Sequence, residues 1–199
     1  ISGKMGQKVA SDLISVVDDP TEPKNGHFIY DHEGTTAKRH QVVSNGTLVG
    51  FLHSLESAAK LGGEPQGSAR AQSHHHPPII RMSNTYIAPG DMTFQEILEG
   101  IDLGVYLCGS QYGYVETQKG QFTCKVEQAW MIEKGELTDR LRDVAINGLT
   151  LDALKNATAV GKDLRIEMPG MCGKDGQGMH VDAGAPHMRI EGIVVGGRT

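Results

Sequence analysis

The residues best suited to chemistry lie between Met168 and Ile190, in the run MPGMCGKDGQGMHVDAGAPHMRI. This stretch carries Cys172, one of three cysteines, with Lys174, Asp175, Gln177 and His180, spaced by Gly170, Gly173, Gly176 and Gly178. Glycines at this density permit positive φ and close approach of backbone to a ligand or neighbour. On residue types alone, Cys172 and His180 could form a thiol nucleophile, with Lys174 favouring the thiolate. A glycine-rich turn around an inert cysteine is the plainer alternative. A second polar segment runs Arg81-Met82-Ser83-Asn84-Thr85-Tyr86. As a strand it would put Arg81, Ser83 and Thr85 on one face and Met82, Asn84 and Tyr86 on the other. Both a half-buried strand with a polar face and a substrate-binding strand fit that pattern.

Other candidates are weaker. His74-His75-His76-Pro77-Pro78 invites a metal, but adjacent histidines cannot all converge on one ion in a regular element, and the prolines impose an extended path. A solvated loop is expected there. His27, His32, His53, His180 and His187 read as surface or satisfied core residues. HExxH, GxSxG, a P-loop and CxxC are all absent. Gly170-Met171-Cys172-Gly173-Lys174 imitates part of a phosphate loop, with the wrong glycine spacing and no Ser or Thr after Lys174.

The elements that would position these residues point to an α+β fold of mostly antiparallel strands with about three short helices and no regular βαβ alternation. Residues 8–18 read as extended, and His27–Tyr30 as a short strand. Gln41–Leu52 is a hairpin about Asn45-Gly46, since both turn residues tolerate positive φ. Ser54–Leu61 is a short helix capped by Ser54 or Ser57 and stopped by Gly62-Gly63. Residues 62–78 form a long loop of the kind that is either functional or disordered. Ile79–Ile87 reads as one strand. Thr93–Leu103 is a helix with a Thr93/Glu96 capping box. Strands follow over Val105–Leu107, Gly113–Glu116 and Gln121–Ile132, with a hairpin turn at Glu133–Glu136. Val144–Ile146 is a short apolar piece, and Thr150–Thr158 a helix capped by Thr150. Leu164–Met168, Met188–Ile190 and Ile193–Val195 complete the strands.

Length favours one domain over residues 1–199, large enough to fold without disulfides or metal. A formal charge of −5 and scattered Lys and Arg argue against a nucleic-acid surface. Three sparse cysteines suit a reducing compartment. No apolar run reaches the ~18–20 residues of a transmembrane helix. The N-terminus has no signal-peptide pattern and no initiator Met, so the chain reads as a fragment.

Several stretches resemble the C-terminal part of the TldD/PmbA family of metallopeptidases. They are SGKMGQKVASDLISVVDD (Ser2–Asp19), DHEG (Asp31–Gly34), the Asn45-Gly46 hairpin with Gly50, RMSNTY (Arg81–Tyr86) and CGKDGQ (Cys172–Gln177). Their order and spacing match over essentially the whole chain. The resemblance implies a zinc-dependent peptidase in which an HExxxH helix supplies two histidine ligands and a glutamate base, and the cysteine of CGKDGQ the third protein ligand. That makes Cys172 the expected metal ligand. Arg81, Ser83, Asn84, Thr85, Gly173, Lys174, Asp175 and Gln177 become expected substrate-binding residues. Three protein ligands leave an open position for a water whose pKa zinc lowers toward ~7. HExxxH is absent. The resemblance puts it shortly before Ile1, so no catalytic residue is expected in this chain, and the chain alone is expected to be inactive.

The same resemblance implies peptides or unfolded protein segments as substrate, a homo- or heterodimer with a TldD/PmbA subunit, and a cytoplasmic location. Arg81–Tyr86 is a candidate edge for strand addition by a peptide. Cys172 is expected in a partly enclosed pocket near that strand. The PmbA/TldE-like branch, a non-catalytic peptide-binding or partner subunit, is the alternative reading, and Cys172 within CGKDGQ argues against it. A free-standing cysteine hydrolase using Cys172 is the third.

Overall fold

Strand-forming segments dominate, and the computed structural model, which describes residues 3–198, gathers them into sheets. In chain order the elements are β1 (Val16–Asp18), β2 (His40–Ser44), β3 (Thr47–Leu48), α1 (Leu55–Leu61), β4 (Ala69–Arg70), β5 (Ile79–Ile80), β6 (Asn84–Ile87), α2 (Phe94–Glu99), β7 (Leu103–Glu116), β8 (Gln121–Glu133), β9 (Glu136–Leu149), α3 (Thr150–Lys155), β10 (Ala157–Val160), β11 (Arg165–Ile166), β12 (Gly170–Lys174), β13 (Gln177–Ala185), β14 (Met188–Ile190) and β15 (Val194–Arg198). The expected α+β class, mostly antiparallel with three short helices among the described residues, is what the chain adopts. The chain forms two compact units. One comprises the residues up to Lys8, Ile14–Ala88 and Leu164–Pro186; the other comprises Val9–Leu13, Pro89–Asp163 and the residues from His187 on.

The first unit is built on a seven-stranded sheet in the order β11-β13-β6-β1-β2-β3, with β12 added to β13. All its ladders are antiparallel except the parallel β13–β6 pair. Ile14, Val17 and Leu48 are fully buried against it, as is Ala69 of the separate β4–β5 pair, with Val43, Tyr86 and Val181 close to that. The Asn45-Gly46 hairpin forms as expected, with φ of 44° and 77° at the turn. So does α1, whose N-cap Ser54 exchanges hydrogen bonds with Ser57 and whose C-cap Gly62 sits at φ 72°.

The second unit holds a four-stranded sheet, β15-β9-β8-β7, in which strands of 13 and 14 residues form a long meander. Val126, Ala129 and Val144 form its core with Val105, Leu107 and Leu141 packed against them. The Thr93/Glu96 capping box opens α2, and the turn at Lys134-Gly135 joins β8 to β9.

Several expectations are corrected. His27–Tyr30 is not a strand; Tyr30 makes a single bridge to Thr36. Ile79–Ile87 splits into β5 and β6, because the N–H of Arg81 donates to Ser68 O while that of Ser83 turns to Asp18. The helix read over Thr150–Thr158 ends at Lys155, its N-cap is Leu149 with no side-chain bond, and residues 157–160 are β10. Asn147-Gly148, which follows the short apolar piece, lies inside β9. The largest change concerns the glycine-rich stretch. It is a ribbon, β12 and β13, closed at Asp175-Gly176 with φ of 50° and 73°.

Candidate functional site

Alternation along the ribbon decides which side chains can meet. Cys172 faces Met179 across the ladder and Lys174 faces Gln177, whereas Met171 faces His180. Directly opposed residues share a face, so Cys172 and His180 lie on opposite faces. The Cys172–His180 nucleophile is therefore ruled out. The Cys172 face points inward: Val181 and Gln177 on it are buried, while Met171 on the other face is 60% exposed. Cys172 is a half-buried free thiol, and Cys108 and Cys124 are free as well, so no disulfide ties it down.

A layer of buried polar groups lies beneath the ribbon. Arg81, only 2% exposed, donates from Nη1 to Gln177 O at 3.0 Å and from Nη2 to Cys172 O. Arg70 donates to His180 O at 3.2 Å and to Met82 O, with its guanidinium 4.6 Å from the Phe28 ring centre. Burial pushes Arg70 down to about 10, and Arg81 adds to this while Asp18 and Cys172 pull it back. It stays charged at neutral pH. Gln177 accepts from Gln72 N at 3.0 Å and donates to Pro77 O at 3.1 Å, and Gln72 Oε1 accepts from Gly178 N.

RMSNTY is the second part of this layer. Asp18 accepts from Ser83 N, Ser83 Oγ and Thr85 Oγ1 at 2.6–2.7 Å. Ser83 and Thr85 thus share a face, as alternation predicts. Asn84 is fully buried; it donates to Asp19 O and Glu22 O and accepts from Gly26 N. β6 itself pairs with β1 on one side and β13 on the other, so it has no free edge. The expected strand-addition edge at Arg81–Tyr86 is therefore corrected. β12 pairs only with β13 among the described residues, and it is the strand that carries Cys172. Asn25 ties its start down, donating to Gly170 O and Val181 O.

Of the expected site residues, Gly173, Lys174 and Asp175 are exposed, Arg81, Ser83, Asn84 and Gln177 are buried, and Thr85 is intermediate. Lys174 Nζ reaches Ile80 O at 3.1 Å. Lys174 and Asp175 line a cleft of about 300 Å³ with Ser54, Ser57, Lys60 and Ile80; Cys172 is not among its lining residues. Buried Asp18, Arg70 and Asp182 complete the layer, with exposed Gln72 and Asn25 bonding at its margin, and sequence reasoning missed them. Asp18 closes the apolar run Val16-Val17 and Asp182 stands between Val181 and Ala183, which is a usable signal; Arg70 gives none.

A thiolate is a soft donor suited to zinc. Among the described residues no group of three or more His, Cys, Asp or Glu side chains could hold a metal. Cys172 thus fits as one member of a donor set and not as the whole. The histidine run does not gather either: the His74 and His75 ring centres lie 3.7 Å apart with the rings tilted by 44°, and His76 bonds to Ser73.

The second unit has its own polar cluster, missed from sequence. His187 Nδ1 pairs with Asp163, and its Nε2 lies 2.9 Å from Tyr106 Oη. Desolvation works to raise Asp163, but the hydrogen bonds from His187 outweigh it and hold the carboxyl below its ordinary value.

The first unit thus presents one free, half-buried thiol on a strand paired on one side only, braced from beneath by buried guanidinium and amide groups. The PmbA/TldA metallopeptidase C-terminal domain family matches residues 1–197, and the chain belongs to this family. A metalloprotease of Methanothermobacter thermautotrophicus is 45% identical over 99% of this chain and 43% of its own length. A zinc metalloprotease TldD homolog of Saccharolobus solfataricus is 33% identical over 96% of this chain and 43% of its own. The crystal structure of TldE from Thermococcus kodakarensis superposes with a TM-score of 0.79 at 26% identity, over 98% of this chain and 42% of that one. The chain thus spans less than half the length of these relatives. Among the described residues no helix is long and apolar enough to cross a membrane.

Proposed function

We propose that this chain is the C-terminal part of a cytoplasmic, zinc-dependent peptidase that supplies Cys172 as one metal ligand and β12 as the strand against which an extended peptide lies. The observation that carries this reading is the free, half-buried Cys172 on a strand paired on one side only, its carbonyl held by a buried arginine. When bound, zinc would activate a water for attack on a peptide carbonyl. This chain's residues do the positioning. Gly173, Lys174 and Asp175 meet the peptide or its flanks, and the small Gly173 lets a backbone approach. Arg81, Ser83, Asn84, Thr85 and Gln177 shape the groove from beneath. Strand addition uses main-chain hydrogen bonds, which suits unfolded segments of varied sequence.

The reading includes a dimer with a second TldD/PmbA subunit, of the same or the TldE type. The likeness to TldE also favours a second reading, in which the chain is the non-catalytic subunit's domain. The free Cys172 in CGKDGQ and the metalloprotease relatives weigh toward the first. The test is zinc content and peptidase activity of this chain beside a version extended N-terminally through an HExxxH helix. Zinc and cleavage confined to the longer version, both lost in Cys172→Ala, is the expected result. A longer version without zinc would move the assignment to the non-catalytic subunit.

A further inference from the structure

The β12–β13 ribbon is poorly suited to hold a ligand still by itself. Gly170, Gly173, Gly176 and Gly178 fall within nine residues of it. Glycine loses the most conformational freedom on ordering, and a two-stranded ribbon is marginal alone. Its turn and the outer edge of β12 are exposed. Asn25 and Gln72 tie parts of it down, and Arg81 holds both strands at once. This side chain is 2% exposed and cannot meet a peptide. Its two terminal nitrogens reach Cys172 O on β12 and Gln177 O on β13, so one planar fork ties both strands close to the turn. Its own N–H is anchored on Ser68 O at 2.8 Å. Arg70 holds His180 O farther along β13. Fixing the carbonyl of Cys172 fixes the Cys172–Gly173 peptide plane, and with the ladder to Met179 restraining the backbone torsions the Cα–Cβ direction is set, leaving the thiol a single torsion to choose.

We infer that Arg81 is a positioning residue for Cys172: its guanidinium fork sets the direction from which the thiol reaches the metal, and contacts neither metal nor peptide. This rests on Cys172 being a metal ligand. Groups that orient a ligand from behind are typically worth about 10- to 100-fold in metal affinity. Lysine has no fork and cannot serve both carbonyls with the same planar geometry.

The test uses the protein extended through HExxxH, with Co²⁺ as the probe, reading affinity and the thiolate-to-cobalt charge-transfer band. Cys172→Ala should abolish the band. Arg81→Ala should weaken and shift it and lower Co²⁺ affinity about 10- to 100-fold, with recovery on adding millimolar guanidinium. Arg81→Lys should fall between. A band and affinity unchanged in Arg81→Ala overturn the positioning role while leaving Cys172 a ligand. A band that survives Cys172→Ala overturns the ligand reading itself. If Arg81→Ala does not fold, Arg81→Lys decides: wild-type band and affinity there overturn the proposal.

Discussion

The β2–β3 and β12–β13 hairpins turn alike, through Asn45-Gly46 at φ 44° and 77° and through Asp175-Gly176 at φ 50° and 73°. Beneath the turns they part. In the first, Val43 and Leu48 face each other across the ladder, 5% and 0% exposed, and the underside is apolar. In the second, the inward face is one residue out of step with the first and carries Cys172, Gln177 and Met179, and the underside is a hydrogen-bonded layer of Arg81, Gln72 and Pro77 O. Apolar contact is non-directional and stabilises. A guanidinium fork and an amide have fixed geometry and aim what they hold. The hairpin that supplies core is built the first way, and the hairpin that supplies a ligand the second.

This contrast should show most strongly at Leu48. Leu48→Ala should cost about 2–5 kcal/mol in chemical denaturation, as full burial leaves a cavity, while Leu48→Met should cost less than about 1.5 kcal/mol. At Gln177 the tolerance reverses. Gln177→Met keeps the volume but takes the partner from Gln72 N–H and Pro77 O in a part-buried place, at about 1–2 kcal/mol. A near-neutral Gln177→Met would mean that the second hairpin is held by packing after all, and the contrast would collapse. Gly176→Ala comes next, at about 1–2 kcal/mol for a side chain in the left-handed region. At φ 73°, with no other atom within 4 Å of where a Cβ would stand, the cost is conformational alone. Hydrogen exchange should report it as faster opening of β12 and β13, with β7–β9 unchanged.

How far these features are legible from sequence follows the same divide. Asn45-Gly46 sits between Val42-Val43 and Leu48-Val49, so its hairpin reads directly from turn chemistry and apolar flanks. Asp175-Gly176 is an equally good turn pair, yet its flanks are Gly, Cys, Lys and Gln, and the stretch reads as a loop. The α1 and α2 caps are legible because Ser54 and Thr93 act within three residues of themselves. Most of β9 is not, since Thr138-Asp139-Arg140 and Arg142-Asp143 carry no alternation and the strand is set by its ladders to β8 and β15. Family resemblance singles out Cys172, Arg81 and Gln177, but not their connection: nothing local says that Arg81 spans 91 and 96 residues to two carbonyls of one ribbon.

The smallest expected effect is a pH dependence that belongs to the first hairpin alone. His40 opens β2 opposite Asp18, and its Nε2 has no partner among the described residues. Burial lowers its pKa below the ordinary 6.5; Asp18 pulls it back up and His53 pushes it down. A histidine with a depressed folded pKa binds its proton more readily when unfolded. Its contribution is therefore fully present above pH 6.5 and lost as pH falls from there through the folded value. The layer under β12–β13 should show no such window, since Arg70 stays charged up to about 10. Denaturant midpoints taken between about pH 7.5 and about pH 5 should fall with pH in the wild type and in Gln177→Met, and flatten in His40→Gln. A slope that survives His40→Gln but vanishes in Gln177→Met would assign the titration to the polar hairpin and reverse the comparison.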